Sequence, residues 1–302
     1  MREQLCEALA ARSVRSDMIF LTGDLGFMAL EPLREALGAR FVNAGVAEQN
    51  MMTVAAAMAH QGLDVWVYSI APFCYARPFE QIRNDISFHN LSVKLIGNGG
   101  GYGYGVMGPT HHAIEDYGVL LTLPNMTVYA PVFDEDVEAV VERAGAMHKP
   151  AYLRIGRGEA PPGYAVPAYA PWRQFTSGDG PVVVAVGALA GTYIGSFAQL
   201  PEARRPNLWG LAEMPIEQCP LPSPLQAQID ATNHLWVAEE HVQTGSVGAA
   251  LLMHLASHGH SIPTFRHFCA RAHHFERYGS QGFLRRQSGL DPAALLTALE
   301  DT

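Results

Sequence analysis

The chain has 302 residues, 16% of them charged and 48% hydrophobic, with a formal net charge of −9. An acidic balance argues against nucleic acid as a main partner, because binding a phosphate backbone needs clustered lysine and arginine. No run of ~18 apolar residues offers a membrane span, and the N-terminus (Met1-Arg2-Glu3-Gln4-Leu5-Cys6-Glu7) lacks the apolar stretch of a signal peptide.

Four widely separated cysteines, Cys6, Cys74, Cys219 and Cys269, form no CxxC pair. They read as reduced thiols of a cytoplasmic protein, not as a disulfide framework or zinc site. His254, His258, His260 and the His273-His274 pair lack a carboxylate or cysteine that would complete a recognisable set, so no metal ligand is expected in this chain.

Strands and helices alternate along the chain. Met18–Thr22 is a short apolar run ending at Gly23-Asp24-Leu25-Gly26, a buried strand followed by a turn. Phe41-Val42 reads as a strand and Val46–His60 as a helix. Val65–Ser69 is a strand, and Pro78–Asn90 a helix with proline near its first turn. Val93–Ile96 is a strand that runs into Gly97–Gly108, where seven of twelve residues are glycine. A helix over His112–Leu121, a strand at Thr127–Ala130, a helix over Asp134–Ala146 and a strand at Ala151–Ile155 follow. Such βαβ alternation with nearly continuous apolar strands implies a parallel sheet covered by helices on both faces.

Prolines and glycines then crowd Glu159–Gly180 without useful periodicity, the pattern of a linker. Beyond it, strands at Pro181–Val186, Asn207–Leu211 and His234–Ala238 alternate with helices at Gly191–Leu200, Gly245–His258 and Asp291–Leu299. The expectation is α/β, with two domains, each a mostly parallel sheet flanked by helices: residues 1–165 and 181–302, joined by a linker at 166–180.

Ligands of open α/β sheets bind beyond the carboxyl ends of strands, and four loops of the first domain lie there. In Asn43–Asn50, Gly45 permits a tight turn and Glu48 falls in the first turn of a helix. An acid there complements the helix dipole by ~0.3–1 kcal/mol, or serves as a carboxylate that hydrogen-bonds a ligand ring nitrogen and moves a proton. In Ser69–Arg77, Phe73 and Tyr75 either plug the core or wall a flat heteroaromatic ring. Gly97–Gly108 permits close backbone approach to a ligand, or a mobile lid, but has no GxxxxGK[ST] phosphate cradle. His111, after Gly108-Pro109-Thr110, is either structural or a proton-transfer group. Arg157 follows the last strand of the domain, where it can bind an anion or form a rim salt bridge.

Together these segments resemble one family. Phe41–Met51 (FVNAGVAEQNM), Phe79–Asp85 (FEQIRND), Gly108–Asp116 (GPTHHAIED), Leu123–Val128 (LPNMTV) and Tyr152–Gly158 (YLRIGRG) look like the pyrimidine-binding domain of transketolases. Val237–Gly248 (VAEEHVQTGSVG) looks like the family's C-terminal domain. The likeness is nearest to short split subunits and more distant to deoxyxylulose-phosphate synthases and pyruvate dehydrogenase β subunits. It implies that Glu48 contacts the aminopyrimidine nitrogen of thiamine diphosphate and so activates the cofactor. Phe73, or Tyr75 if the register slips, stacks on the pyrimidine, and Arg77 closes the same loop at the cofactor. Asp24 approaches it across a subunit contact. His111 lies near the reacting carbon, and Arg157 grips a sugar phosphate.

Two positions depart from the family. Met107 stands where an aspartate usually binds a substrate hydroxyl, and Gly99 stands where a second histidine is expected. An unpaired hydroxyl against Met107 would cost ~1–3 kcal/mol, so this wall is less suited to a polyhydroxylated sugar. The segment that carries the family's GDG motif, diphosphate site and magnesium ion is not found here. The resemblance therefore implies a partner of the N-terminal transketolase type that binds Mg2+ and diphosphate, in an α2β2 heterotetramer. The expected activity is two-carbon ketol transfer from a small ketose. The alternatives are decarboxylating acyl transfer from a 2-oxo acid and a non-catalytic regulatory subunit.

Overall fold

A computed structural model describes residues 1–14, 16–26 and 28–301. Six parallel strands build the first sheet: β1 (Met18–Thr22), β2 (Phe41–Asn43), β3 (Asp64–Ile70), β4 (Val93–Asn98), β5 (Thr127–Tyr129) and β6 (Ala151–Ile155). The second sheet comprises β7 (Trp172–Gln174), β8 (Val182–Val186), β9 (Asn207–Leu211), β11 (His234–Glu239) and β12 (Thr264–Cys269). Between β9 and β11 the short β10 (Glu213–Met214) crosses back and pairs antiparallel with β5. The strand orders are β10-β5-β6-β4-β3-β1-β2 and β12-β11-β8-β9-β7. Only β10 and β7 run antiparallel to their neighbours, so the expected α/β class with two mostly parallel sheets is what the chain adopts.

Both faces of the first sheet are covered, which is why its strands are apolar without alternation. On one face Phe20, Trp66, Tyr68 and Ile96 pack against Leu5, Leu9, Leu33, Val137 and Val141 of flanking helices. On the other, Met51, Met52, Ile82 and Leu95 share a core that continues to Val184, Trp209 and Val237 of the second sheet. No helix among the described residues is long and apolar enough to cross a membrane.

Several elements differ from expectation. The helix expected from Val46 begins at Glu48, because Ala47 is held at φ −143°. The helix expected over His112–Leu121 shortens to Asp116–Leu120, since Gly101 and Ala113 exchange two backbone hydrogen bonds and hold that stretch extended. Part of the loop at Ser69–Arg77 is a helical turn, Ala71–Tyr75. Trp172–Gln174 lies inside the expected linker yet forms the antiparallel edge of the second sheet. The helices Arg2–Ser13, Glu31–Leu37, Ser223–Thr232 and Gln281–Ser288 have no counterpart in the sequence reading.

The two sheets dock through two buried acids of the VAEEHVQTGSVG segment. Glu239 accepts hydrogen bonds from the Val247 and Gly248 amides at 3.0 and 2.8 Å, from the Tyr117 hydroxyl and from His267 Nε2 at 2.8 Å. It therefore serves the N-terminus of the helix Val247–Ser257 and ties β11 to the first domain. Burial disfavours the His267 cation, but hydrogen bonds to Cys269 and Glu239 outweigh it and push the pKa up to about 9. A folded-state value raised above the ordinary 6.5 stabilises fully below that pH, and the contribution disappears as pH rises through about 9. The pair's own contribution should therefore fall by ~3 kcal/mol across this window, read as the wild-type minus H267Q difference in thermal midpoint, which should shrink as pH rises from about 6.5 to about 9.5. A difference that stays constant over that range would contradict the pairing.

Candidate active site

The carboxyl ends of β2, β3 and β4 bring the site together. After β2, the Asn43 side chain accepts a hydrogen bond from the Gly45 amide at 2.9 Å, and Gly45 takes φ +73°, where a side chain would be strained. Asp24 braces this turn: its carboxylate accepts from Asn43 Nδ2 at 3.0 Å and its amide donates to the Gly45 carbonyl. The turn delivers Glu48 as the first helical residue, 6% exposed and beside buried Met51 and Met52. A dipole-complementing acid would sit in water, whereas this one is sheltered.

Phe73 and Arg77 come from the segment after β3. The Arg77 guanidinium lies 3.9 Å from the centroid of the Phe73 ring while its Nη1 donates to Glu48 Oε1 at 3.0 Å and Oε2 at 3.1 Å. A flat, donor-bearing group thus rests on an aromatic face with its edge on a buried carboxylate. Tyr75 turns the other way: it is buried and donates to Glu115 at 3.2 Å. Of the two aromatics in this segment, Phe73 is the one that faces Glu48 and Arg77.

His111 ends the turn Pro109–His111. Its ring meets Phe73 edge-on at 5.1 Å, and Nδ1 lies 3.0 Å from Thr110 Oγ1. Burial and then the Arg77 charge hold its pKa below the ordinary histidine value, so it is neutral at pH 7.

Arg157, exposed at the end of β6, lines a cavity of about 300 Å³ with Arg2, Asn98, Gly99, Tyr104 and Gln281. Two arginines, Arg2 and Arg157, thus line it. Tyr104 borders both regions, since its ring lies 6.4 Å from that of His111. Met107 stands apart, 56% exposed on the turn Gly105–Met107. Asp24 faces another cavity, of about 400 Å³, with Glu31 and Arg34. Sequence reading missed Arg2 and Tyr104. The signals available were an arginine opening an amphipathic Leu5-Cys6-Leu9 pattern and an aromatic ring inside a glycine tract.

The glycine tract is anchored. Tyr102 is fully buried, its hydroxyl donates to the Ala272 carbonyl at 2.8 Å, and its amide donates to Glu240 at 3.2 Å. A Cβ on Gly101 would meet the Glu240 carboxylate at 2.2 Å, so glycine here permits close packing on the second domain.

Residues 9–162, half of the chain, match the family model described as transketolase, pyrimidine binding domain. The chain belongs to the transketolase family. It is 35% identical over 149 residues to one of the apulose-4-phosphate transketolase subunits of Phocaeicola vulgatus, a match that spans 49% of this chain and 48% of that protein. It is 30% identical over 226 residues to a putative transketolase C-terminal section of Methanocaldococcus jannaschii, covering 73% of this chain and 70% of the other. A solved structure of a split-gene transketolase, described as an inactive beta4 tetramer, superposes with a TM-score of 0.84 at 26% identity, over 99% of this chain and 97% of that one. In this transketolase-family chain the matched region holds Glu48, Phe73, Arg77, His111 and Arg157, and leaves Arg2 outside it.

Proposed function

We propose that this chain is the pyrimidine-side, C-terminal-type subunit of a thiamine diphosphate-dependent transketolase that moves a two-carbon ketol unit and works only with a second subunit. The observation that carries the reading is the Arg77 guanidinium, which lies face-on to Phe73 and edge-on to buried Glu48. That is the arrangement an aminopyrimidine needs, and the guanidinium is its stand-in, so the residues present fit the cofactor. Bound thiamine diphosphate supplies the electron sink for breaking a carbon–carbon bond next to a carbonyl.

This chain's residues bind and orient. Phe73 stacks on the pyrimidine and Glu48 holds a proton at its ring nitrogen, after Arg77 gives up both contacts. Neutral His111 exchanges a proton through Nε2 with a substrate oxygen. Arg157 and Arg2 attract an anionic substrate terminus, as paired guanidinium groups suit phosphate. Met1–Leu9 and the glycine tract shield this end from water. Asp24 braces the turn that delivers Glu48 and lies at the subunit contact. Diphosphate and Mg2+ belong to the partner subunit, in a heterotetramer. The inactive state named for the beta4 neighbour is in keeping with this division of labour. We also place the protein in the cytoplasm, in keeping with the free thiols of Cys6, Cys74, Cys219 and Cys269.

The test is to combine the chain with a diphosphate-binding subunit of the N-terminal transketolase type, thiamine diphosphate and Mg2+, and to offer a ketose phosphate or a 2-oxo acid as donor. Ketol transfer is expected from the ketose phosphate, and only when both chains are present. Carbon dioxide release from the 2-oxo acid without ketol transfer would replace the reading with decarboxylating acyl transfer. No cofactor binding by calorimetry would make the chain a non-catalytic subunit.

A further inference from the structure

We propose that His254 and His258, at the C-terminal end of the helix Val247–Ser257, form a two-nitrogen chelate for a transition-metal cation of the nickel, copper and zinc class. The proposal goes beyond the ketol-transfer reading and does not rest on it.

The histidines of this stretch form no recognisable set in the sequence, and the fold supplies what spacing alone does not. Residues four apart on a helix are neighbours, and here the His254 and His258 rings lie 4.1 Å apart between centroids, tilted by 32°. The helix end that carries them is closed. Gly259 takes φ +74°, its amide donates to the Ala256 carbonyl at 3.2 Å, and the His260 amide donates to the Leu255 carbonyl at 3.0 Å. This paired closure fixes the last turn, so both side chains start from a held backbone. His258 is also tied by its ring. Nδ1 lies 2.9 Å from the His254 carbonyl, and a carbonyl only accepts, so Nδ1 carries the proton and the lone pair is left on Nε2. Ser257 agrees with this tautomer, because its hydroxyl donates to the same carbonyl at 3.0 Å and turns a lone pair toward Nδ1 at 3.3 Å. Metal-binding histidines are ordinarily held this way, the second ring nitrogen donating to a backbone carbonyl or carboxylate.

The surroundings suit a cation. The last carbonyls of the helix are the negative end of its dipole, and the Glu217 carboxylate lies near enough for its charge to act on His254. His258 is exposed and His254 half-buried, so an ion reaches the pair from solvent. Two imidazoles suit Ni2+, Cu2+ and Zn2+ and offer nothing to Mg2+, which takes oxygen ligands. Among the described residues no three histidines, cysteines or carboxylates gather as a metal site, so the remaining positions belong to water and the chelate is open. The helix is 11 residues long, and its first amides, of Val247 and Gly248, meet Glu239. The pair therefore lies at the far end, roughly 16 Å along the axis, where a cation clamps the final turn and leaves the docking of the two sheets untouched.

The test titrates the full chain with Cu2+, Ni2+ or Zn2+ against a background of excess Mg2+, followed by calorimetry. The tightest equivalent should bind in spite of the Mg2+, with Cu2+ held more firmly than Ni2+ or Zn2+. Because the chelate exists only on the folded helix, bound Ni2+ should also raise the thermal midpoint. H254Q and H258Q should each weaken this equivalent by more than about tenfold and abolish the rise in midpoint. H273Q/H274Q, which alters the chain's other neighbouring histidines, should leave both unchanged. Circular dichroism of each variant without metal separates a lost ligand from a lost fold. Electron paramagnetic resonance of the wild type at one equivalent of Cu2+ needs no variant, and it should report two imidazole nitrogens. No binding by the wild type, a one-nitrogen signal, or an affinity that folded H254Q and H258Q leave unchanged would overturn the assignment.

Discussion

Glu48→Gln should lower kcat of the two-subunit enzyme by about 10²–10⁴-fold, the range for losing a positioned acid–base group, with little change in thermal midpoint. The substitution separates two physical roles. If Glu48 only complemented the dipole of the helix Glu48–His60, its charge would contribute ~0.3–1 kcal/mol of stability and nothing to turnover. Activity would survive and the midpoint would fall slightly. The surroundings favour the other outcome. Glu48 is 6% exposed, and its negative charge adds to burial in pushing up the neighbouring Cys74 thiol. Its ion pair with Arg77 is half open to water, Arg77 being 46% exposed, so the pair itself adds little. A carboxylate kept in shelter for so small a stabilising return serves a ligand. Glutamine preserves shape and can still hydrogen-bond, but it cannot hold an ionised carboxylate at the ring nitrogen. Steady-state kinetics with a matched calorimetric measurement of cofactor binding decides the case, and an E48Q enzyme with more than a tenth of wild-type kcat would exclude the role.

Part of this site is written in the sequence and part is not. Glu48 is legible because Asn43, Gly45 and the apolar face that starts at Met51 are local signals: a side-chain-stabilised turn, a left-handed residue and a helix period. The six parallel strands of the first sheet are legible for a similar reason, as burial on both faces makes each a short apolar run. Tyr104 and Arg2 are not legible, because their partners lie far off in sequence or in another element. A tyrosine in a glycine tract has no periodicity to betray it, and only the fold shows its ring filling the space over Gly99. Likewise Glu239 and Glu240 read as a polar motif, whereas their meaning is set by Tyr117, His267 and Arg285. Strand β12 was hidden for another reason: Thr264–Cys269 mixes Arg266 and His267 into an edge strand, with neither clean alternation nor an apolar run.

Arg154 offers the largest expected effect on stability, and it links the fold to the site. Its side chain is 9% exposed and pairs at 2.9 Å with fully buried Asp116. Nη2 also donates to the Ala113 carbonyl at 3.1 Å and the Glu240 carbonyl at 2.8 Å, so one guanidinium joins β6, the segment after His111 and the second domain. Burial disfavours its charge, but Asp116 and the other surrounding groups outweigh this and hold it ionised. R154M should therefore destabilise the chain by ~3–5 kcal/mol, because Asp116 would stay buried without its counter-charge. The partner substitution gives the control. R154M/D116L removes both charges and should recover much of the loss, since two apolar groups of similar bulk leave no stranded ion. Denaturant unfolding of the three variants measures both terms, and a loss below 1 kcal/mol for R154M would show that the pair is not what holds the domains. Activity should follow a different order. Arg154 lies against Gly100 and Gly101, within 2.4 and 3.0 Å of where their Cβ atoms would stand, and so supports the tract that carries Gly99 and Tyr104. The double variant should regain stability without regaining wild-type kcat/KM, because a leucine–methionine contact fills the space but does not hydrogen-bond the Ala113 and Glu240 carbonyls that fix the tract.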